Sequence, residues 1–193
     1  FISFTSNLPF YGAGVACIDD GGAKDILKKI HRPVLSYGFS DDADVQASNV
    51  KQNEMKMSFD VNCKKYQKKF PVSLNLIGRH NILNSLAAIS VAIELEIELK
   101  VIQKALSHFS GVSRRLDYHQ NLTVNTSLIP LFDDYGHHPN EITEVVSTLR
   151  NTYPDKRLVV IFQPHRYSRT RDLFNDFVSC LSKVDVLVLL NIY

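Results

Sequence analysis

No segment of the 193-residue sequence approaches the ~18 consecutive apolar residues that read as a membrane-spanning helix. The start, FISFTSNLPF, has neither a basic n-region nor a small-residue cleavage site, so no membrane partner is expected. Cysteine is scarce: Cys17, Cys63 and Cys180 are odd in number, far apart and without a C-x-x-C pair. That excludes a disulfide framework or a cysteine zinc site and fits a reducing compartment. Seven prolines, eight glycines and no repeated segment exclude a solenoid or a low-complexity linker. An excess of one charge is also lacking. With 22 Lys+Arg against 20 Asp+Glu the net charge is +2, histidine neutral, which is too small to imply nucleic acid as a partner through the whole-molecule field. No G-x-x-x-x-G-K-[ST] phosphate loop occurs anywhere in the chain.

What is present, 45% hydrophobic and 22% charged residues, describes a soluble globular chain able to bury a core. From Val15 to Phe39 an apolar run, a Gly-Gly turn, the amphipathic AKDILKKI and a second run read as strand, helix, strand. Residues 45–76 alternate without a helical period and predict two or three antiparallel strands. Their lysines (51, 56, 64, 65, 68 and 69) read as a solvated edge that blunts self-association. LNSLAAISVAIEL is apolar almost all round and is expected to be buried. VIQKALSHF carries a one-sided stripe at 101, 102, 105, 106 and 109. A boundary is expected near residues 110–113, dividing the chain into 1–111 and 112–193. Beyond it LIPLFDD, PNEITEVVSTLRNTY, RLVVIF, TRDLFNDFVSCLSKV and VDVLVLLNI alternate strand and helix, which implies a mostly parallel, doubly wound sheet whose ligands bind beyond the carboxyl ends of the strands.

Three polar constellations fall at such positions. DDYGHHPNEI (133–142) follows one strand, with Pro139 suited to a first helical turn and Glu141 to its dipole. Adjacent histidines in a loop point apart, so this segment reads poorly as a metal site. FQPHRYSRTRDLF (162–174) follows the next strand. The helix is expected to begin near Thr170, which leaves Arg166 and Arg169 in the loop before it and Arg171 and Asp172 facing solvent. Two guanidinium forks beside a helix start suit a small carboxylate or phosphate. GRHNILN (78–84) opens the first of the two helices with His80, Asn81 and Asn84, amide and imidazole groups that could cap the helix or meet a purine or ribose edge.

In this order and spacing GRHNILNSLAA, GVSRRLD, DDYGHHPNEI and FQPHRYSRTRDLFNDF, preceded by NLPFYG, ACIDD and YGFSDDADV, resemble the Mur ligase family, in particular its alanine-adding branch. The resemblance implies part of a central ATPase domain over 1–111 and part of a Rossmann-like C-terminal ligase domain over 112–193. It further implies a cytoplasmic enzyme of peptidoglycan precursor synthesis that uses ATP and magnesium to join L-alanine to the lactyl carboxylate of UDP-N-acetylmuramic acid through an acyl phosphate. Carried over by position, His80, Asn81 and Asn84 contact adenosine, and Arg115 with Asp134 lies near the ribose and phosphates. Tyr135, His137, His165, Arg166 and Arg169 face the amino acid and the intermediate, with His137, Arg166 and Arg169 as the catalytic group. The phosphate loop, the magnesium ligands and the UDP-sugar domain of the family are not found in these residues. The chain begins without methionine and stops inside VDVLVLLNIY, so it is expected to be cut from something longer and inactive alone. The alternative is a non-catalytic nucleotide- or anion-binding module of the same fold.

Overall fold

The computed structural model describes residues 2–193. The chain divides into two units, the first ending at Ser110 and the second covering Gly111–Tyr193, and each has its own core.

The first unit runs α1 (Ile2–Ser6), β1 (Gly14–Cys17), α2 (Gly21–Leu27), β2 (Val34–Gly38), β3 (Val45–Asn53), β4 (Lys56–Cys63), β5 (Lys68–Leu74), α3 (Arg79–Glu94) and α4 (Leu99–His108). Its five strands form one sheet in sequence order. β1, β2 and β3 are parallel, and β3, β4 and β5 antiparallel. The period-two pattern of β4 and β5 fixes which face is buried. Met57, Phe59, Val61 and Cys63 point inward from β4, as do Phe70, Val72 and Leu74 from β5, because successive strand side chains face opposite sides. Ile82, Leu86, Ile89 and Ile93 of α3 complete this core.

Side-chain carboxylates tie the parallel strands together at their ends. Asp19, just beyond β1, accepts from the Phe39 amide at 2.6 Å and the Ser40 amide at 3.2 Å. This close approach requires glycine at position 38, where a Cβ would lie 2.6 Å from an Asp19 oxygen. Asp44 accepts from the Ser36 amide and hydroxyl at 2.9 and 2.5 Å, clipping β2 to the start of β3.

The two helices differ from the sequence expectation in which faces they bury. α3 is not buried all round: Asn84, Ala88 and Val91 form an exposed stripe, because only one side meets the sheet. In α4 Ile102 is buried, with Leu99 and Leu106 packed on the core, while Val101 and Phe109 of the expected stripe are 54% and 45% exposed. The axis is rotated so that 99, 102 and 106, rather than 101, 105 and 109, meet β5. All six lysines of the strand region are exposed, and Lys65 pairs with Glu94 at 2.9 Å.

The second unit runs β6 (Asp117–Val124), β7 (Ser127–Asp133), α5 (Pro139–Thr152), β8 (Val159–Phe162), α6 (Tyr167–Asp172), α7 (Phe174–Leu181) and β9 (Val186–Leu189). β8 and β9 are parallel, and α5 and α7 cover one side of them through Ile142, Val146, Phe162, Phe177, Cys180 and Leu181. β7 does not join this pair as the strand–helix alternation predicts. It forms an antiparallel hairpin with β6, and a cavity of about 350 Å³ lined by Ile129, Leu131, Phe132, Leu149, Tyr153 and Leu158 separates it from β8. Arg150 near the end of α5 bonds Asp185 at 2.7 Å, and the same oxygen accepts from the Leu158 amide at 2.7 Å, fastening α5 to the starts of β8 and β9.

Cys63 and Cys180 are buried and Cys17 half-buried, all as free thiols. Burial pushes the Cys63 and Cys180 thiols up, which keeps them protonated and unreactive. No described helix is long and apolar enough to cross a membrane. Ile89 is 0% exposed at the centre of the first core, so Ile89→Ala is expected to lower stability by about 2–5 kcal/mol, measured as a shift in the urea midpoint of the first unit's unfolding.

Candidate active site

The sequence-predicted residues fall into two groups, one in each unit. In the first, α3 begins directly after Gly78 without a side-chain cap, so neither histidine nor asparagine serves as its N-cap. Asn81 is 9% exposed and its amide nitrogen donates to the Ile77 carbonyl at 2.8 Å; it anchors the helix entry. Asn84 is exposed, one turn beyond the half-buried His80 and on the same side of the helix. The Arg79 guanidinium lies 3.8 Å from the Phe39 ring centre, a cation–π contact with the loop after β2.

The second group is built at the ends of β7 and β8. Asp134 accepts from the Leu116 amide at 2.7 Å and the Gly136 amide at 2.6 Å. A side chain at Gly136 would meet that carboxylate at 2.7 Å, so the turn needs glycine. Tyr135 donates its amide to the Arg114 carbonyl at 2.7 Å. The segment before β6 is thereby stitched to the loop after β7, and Arg115 is left exposed between two residues of positive φ, Arg114 (61°) and Leu116 (47°). Among the described residues Arg115 and Asp134 form no ion pair. The pair is Arg114 with Asp133, at 3.5 Å, and Arg114 also covers the Tyr135 ring at 4.7 Å.

Glu141 sets the geometry of the two histidines. Its carboxylate accepts from the His137 amide at 2.9 Å and the His138 amide at 3.0 Å, while Nδ1 of His138 accepts from the Asn140 amide at 3.3 Å. This is a reciprocal cap with Pro139 in the first turn. Burial pushes the Glu141 carboxyl up, but the two amides and the two imidazoles outweigh it and hold the carboxyl below its usual range. The two rings take different partners. His138 faces the helix as a cap. Nδ1 of His137 lies 3.0 Å from the Tyr135 carbonyl, and because a carbonyl only accepts, that nitrogen is the donor, which in the uncharged tautomer puts the lone pair on Nε2.

The arginine motif differs from the sequence expectation. The helix starts at Tyr167 rather than near Thr170, so Arg169 lies within α6 and Arg166 at its N-cap position. Thr170 does not cap; its hydroxyl and amide both donate back to the Arg166 carbonyl, at 3.0 and 3.1 Å. Arg166 holds φ 70° and ψ 122°, a backbone state that costs of order 1–3 kcal/mol and persists only where its surroundings impose it. They do so here: its amide donates to the Tyr193 carbonyl at 2.8 Å, and the Tyr193 amide donates to the Pro164 carbonyl at 2.9 Å. Arg169 is half-buried, and its Nη1 is buried with no hydrogen-bond partner among the described residues. A desolvated, unsatisfied guanidinium N–H costs about 1–3 kcal/mol or more and is relieved by an anion. Arg171 pairs with Asp172 at 2.8 Å on the surface, as expected.

Four rings line this loop edge in file. Tyr135 and His137 are 5.3 Å apart, His137 and His165 6.3 Å, and His165 and Tyr193 5.5 Å. The structure thus brings Tyr135, His137 and His165 together beside the arginine loop. Sequence reasoning missed Glu141 as the holder of both histidines, although the H-x-x-E spacing of a capping box was readable. It also missed Tyr193, which lies 28 residues from His165 and carries no local signal.

Residues 1–92 match the Mur ligase middle domain, and residues 114–192 match the Mur ligase, glutamate ligase domain. The chain belongs to the Mur ligase family. Among curated Mur ligases, UDP-N-acetylmuramate--L-alanine ligase of Ruthia magnifica subsp. Calyptogena magnifica is 62% identical over all 193 residues, which cover 41% of that protein. The protein of the same name in Dichelobacter nodosus is 47% identical, with 100% of this chain and 40% of that protein covered. The chain therefore spans about two fifths of the length of these relatives. Solved Mur ligases share the fold. UDP-N-acetylmuramate-alanine ligase MurC from Thermotoga maritima gives a TM-score of 0.73 at 24% identity, covering 93% of this chain and 37% of that one. MurF ligase from Thermotoga maritima in complex with ADP gives 0.71 at 15% identity, covering 92% and 40%.

The Glu141 cap makes a testable contribution to this loop. Its carboxyl is held below the ordinary 4.5, so its stabilisation is fully present above that pH and is lost as pH falls through the lower folded value. Glu141→Gln is expected to be less stable than the parent chain at pH 7, and the gap should narrow as pH falls below 4.5. Glu141→Ala should lower stability by about 1 kcal/mol at pH 7, read from urea unfolding.

Proposed function

We propose that this chain forms part of a UDP-N-acetylmuramate--L-alanine ligase, a cytoplasmic enzyme of peptidoglycan precursor synthesis. The observation that carries the proposal is whole-chain identity of 62% to a relative of that name. In the reaction the lactyl carboxylate of UDP-N-acetylmuramic acid attacks the γ-phosphorus of ATP, giving an acyl phosphate and ADP. The amine of L-alanine, having lost a proton, attacks the acyl carbon. The tetrahedral intermediate then expels inorganic phosphate and leaves the amide.

The residues suit the second half of this sequence. Arg169, with a guanidinium nitrogen lacking a partner, and Arg166 clamp the α-carboxylate of alanine, which aims its amine. His137, with Nε2 available by tautomer, takes the ammonium proton as the amine becomes nucleophilic. Tyr135 and His165 wall the amino acid. On the first unit His80 and Asn84 contact the adenosine of ATP, with Asn81 holding the helix entry. Arg115 meets the ribose and phosphates, and Asp134 fixes the loop that carries Arg115. Asp134 keeps some acceptor capacity, because a carboxylate has about four lone-pair sites and two are used.

Magnesium is implied by the family. Among the described residues no group of three His, Cys, Asp or Glu could hold a metal ion. These residues do not furnish its site, and we assign its ligands to the part of the enzyme that this chain does not span.

Arg169→Ala and Arg166→Ala in the full-length ligase are each expected to raise KM for L-alanine by about 10- to 100-fold, the equivalent of the ~1.5–3 kcal/mol of a charged hydrogen bond, with KM for ATP little changed. Equal loss of affinity for both substrates would refute the clamp. The 193 residues alone, lacking a phosphate loop, are expected to release no ADP in a coupled assay with ATP, L-alanine and UDP-N-acetylmuramic acid.

A further inference from the structure

We infer that Tyr193 is a specificity-determining residue of the amino-acid site, its ring setting how large a side chain the site accepts. The inference rests on the proposed placement of the amino-acid carboxylate at Arg166 and Arg169. Tyr193 is fastened to that loop by its own backbone. The β8–β9 pairing continues past the strands through Leu190 N–H to the Phe162 carbonyl, Tyr193 N–H to the Pro164 carbonyl, and Arg166 N–H to the Tyr193 carbonyl. The last two bonds leave Tyr193 no freedom to shift along the loop and fix it relative to the α-carbon of Arg166.

Its side chain closes the file of rings. The Tyr193 ring is tilted 32° to His165 at 5.5 Å, and His165 leads through His137 to Tyr135. Tyr135, at the far end of the row, is 52% exposed. A row of aromatic faces on the loop that carries Arg166 and Arg169 is suited to an amino acid: the charged end goes to the arginines and the side chain goes against the rings. His165 and His137 occupy the middle of the row. Tyr193 at one end is therefore positioned to limit side-chain length without touching the reacting amine.

Discrimination by one methylene in an apolar pocket reaches about 10–200-fold. The test compares kcat/KM for L-2-aminobutyrate, one methylene longer than alanine, with kcat/KM for L-alanine in the full-length ligase. Tyr193→Ala is expected to raise that ratio about tenfold and to leave KM for ATP unchanged. Tyr193→Phe, which keeps the ring, is expected to leave the ratio at its original value. The backbone bonds that hold residue 193 do not involve its side chain and survive substitution. Should the alanine variant nevertheless not be recovered folded, Tyr193→Leu is read in its place. A rise below about fivefold, whether or not overall activity falls, overturns the inference, because a merely structural role lowers both substrates together. Arg169→Ala in the same enzyme separates the two layers. If it leaves KM for alanine unchanged, the carboxylate placement fails; if it raises KM while the Tyr193→Ala ratio stays flat, the placement stands and only the role of Tyr193 falls.

Discussion

Side-chain carboxylates holding the backbone amides that strands leave behind are the interaction on which both units depend. Asp19 takes the amides of Phe39 and Ser40, and Asp44 takes Ser36. Asp134 takes Leu116 and Gly136, Glu141 takes His137 and His138, and Asp185 takes Leu158. A parallel strand ends with N–H groups pointing into a loop, and a buried amide without a partner costs as much as a lost hydrogen bond. A carboxylate satisfies two such groups with charge-assisted bonds. The loops around the strand ends are thereby held in shape before any ligand arrives.

This use of acids divides the polar loops into two chemical classes. The aspartates and the glutamate are engaged inward, on the chain itself. The groups not engaged by these acids are cationic: Arg115 is exposed, and the buried Nη1 of Arg169 lacks a partner among the described residues. A loop cluster that looks balanced in composition is therefore anion-seeking in space. The near-zero net charge of the chain carries no trace of this, because charge cancellation in sequence ignores which side chains point where.

The legibility of the sequence follows the same division. Where a pattern is local and repeated, it was readable: the alternation of β4 and β5, the parallel pair β1–β2 around α2, and Pro139 at the start of α5 all follow from spacing within a few residues. Where a contact partner lies far along the chain, it was not. The start of α6 at Tyr167 depends on Arg166 being pinned by Tyr193, and nothing in RYSRT announces that bond. The rotation of α4 is decided by β5, which accepts Leu99, Ile102 and Leu106 from a helix with apolar residues on two faces. β6 was hidden because its residues, DYHQNLTV, are nearly all exposed, so burial imposed no alternation on them. Within the site, residue types were legible and pairings were not: two adjacent arginines and two adjacent aspartates permit several pairs, and the structure selects Arg114 with Asp133.

In the proposed reaction the second unit also separates two tasks that a single binding residue would confuse. An arginine clamp contributes affinity for a carboxylate that every α-amino acid carries, so it cannot by itself choose among them. Choice requires contact with the side chain, and that falls to groups with shape rather than charge. The two are coupled mechanically through Arg166, whose strained backbone is held by the carbonyl of the residue whose ring ends the aromatic file. Because rings and guanidinium groups are anchored to one another through the backbone, displacement of either changes where the amine of a bound amino acid points. In that proposed site, selectivity and rate rest on the same few backbone bonds.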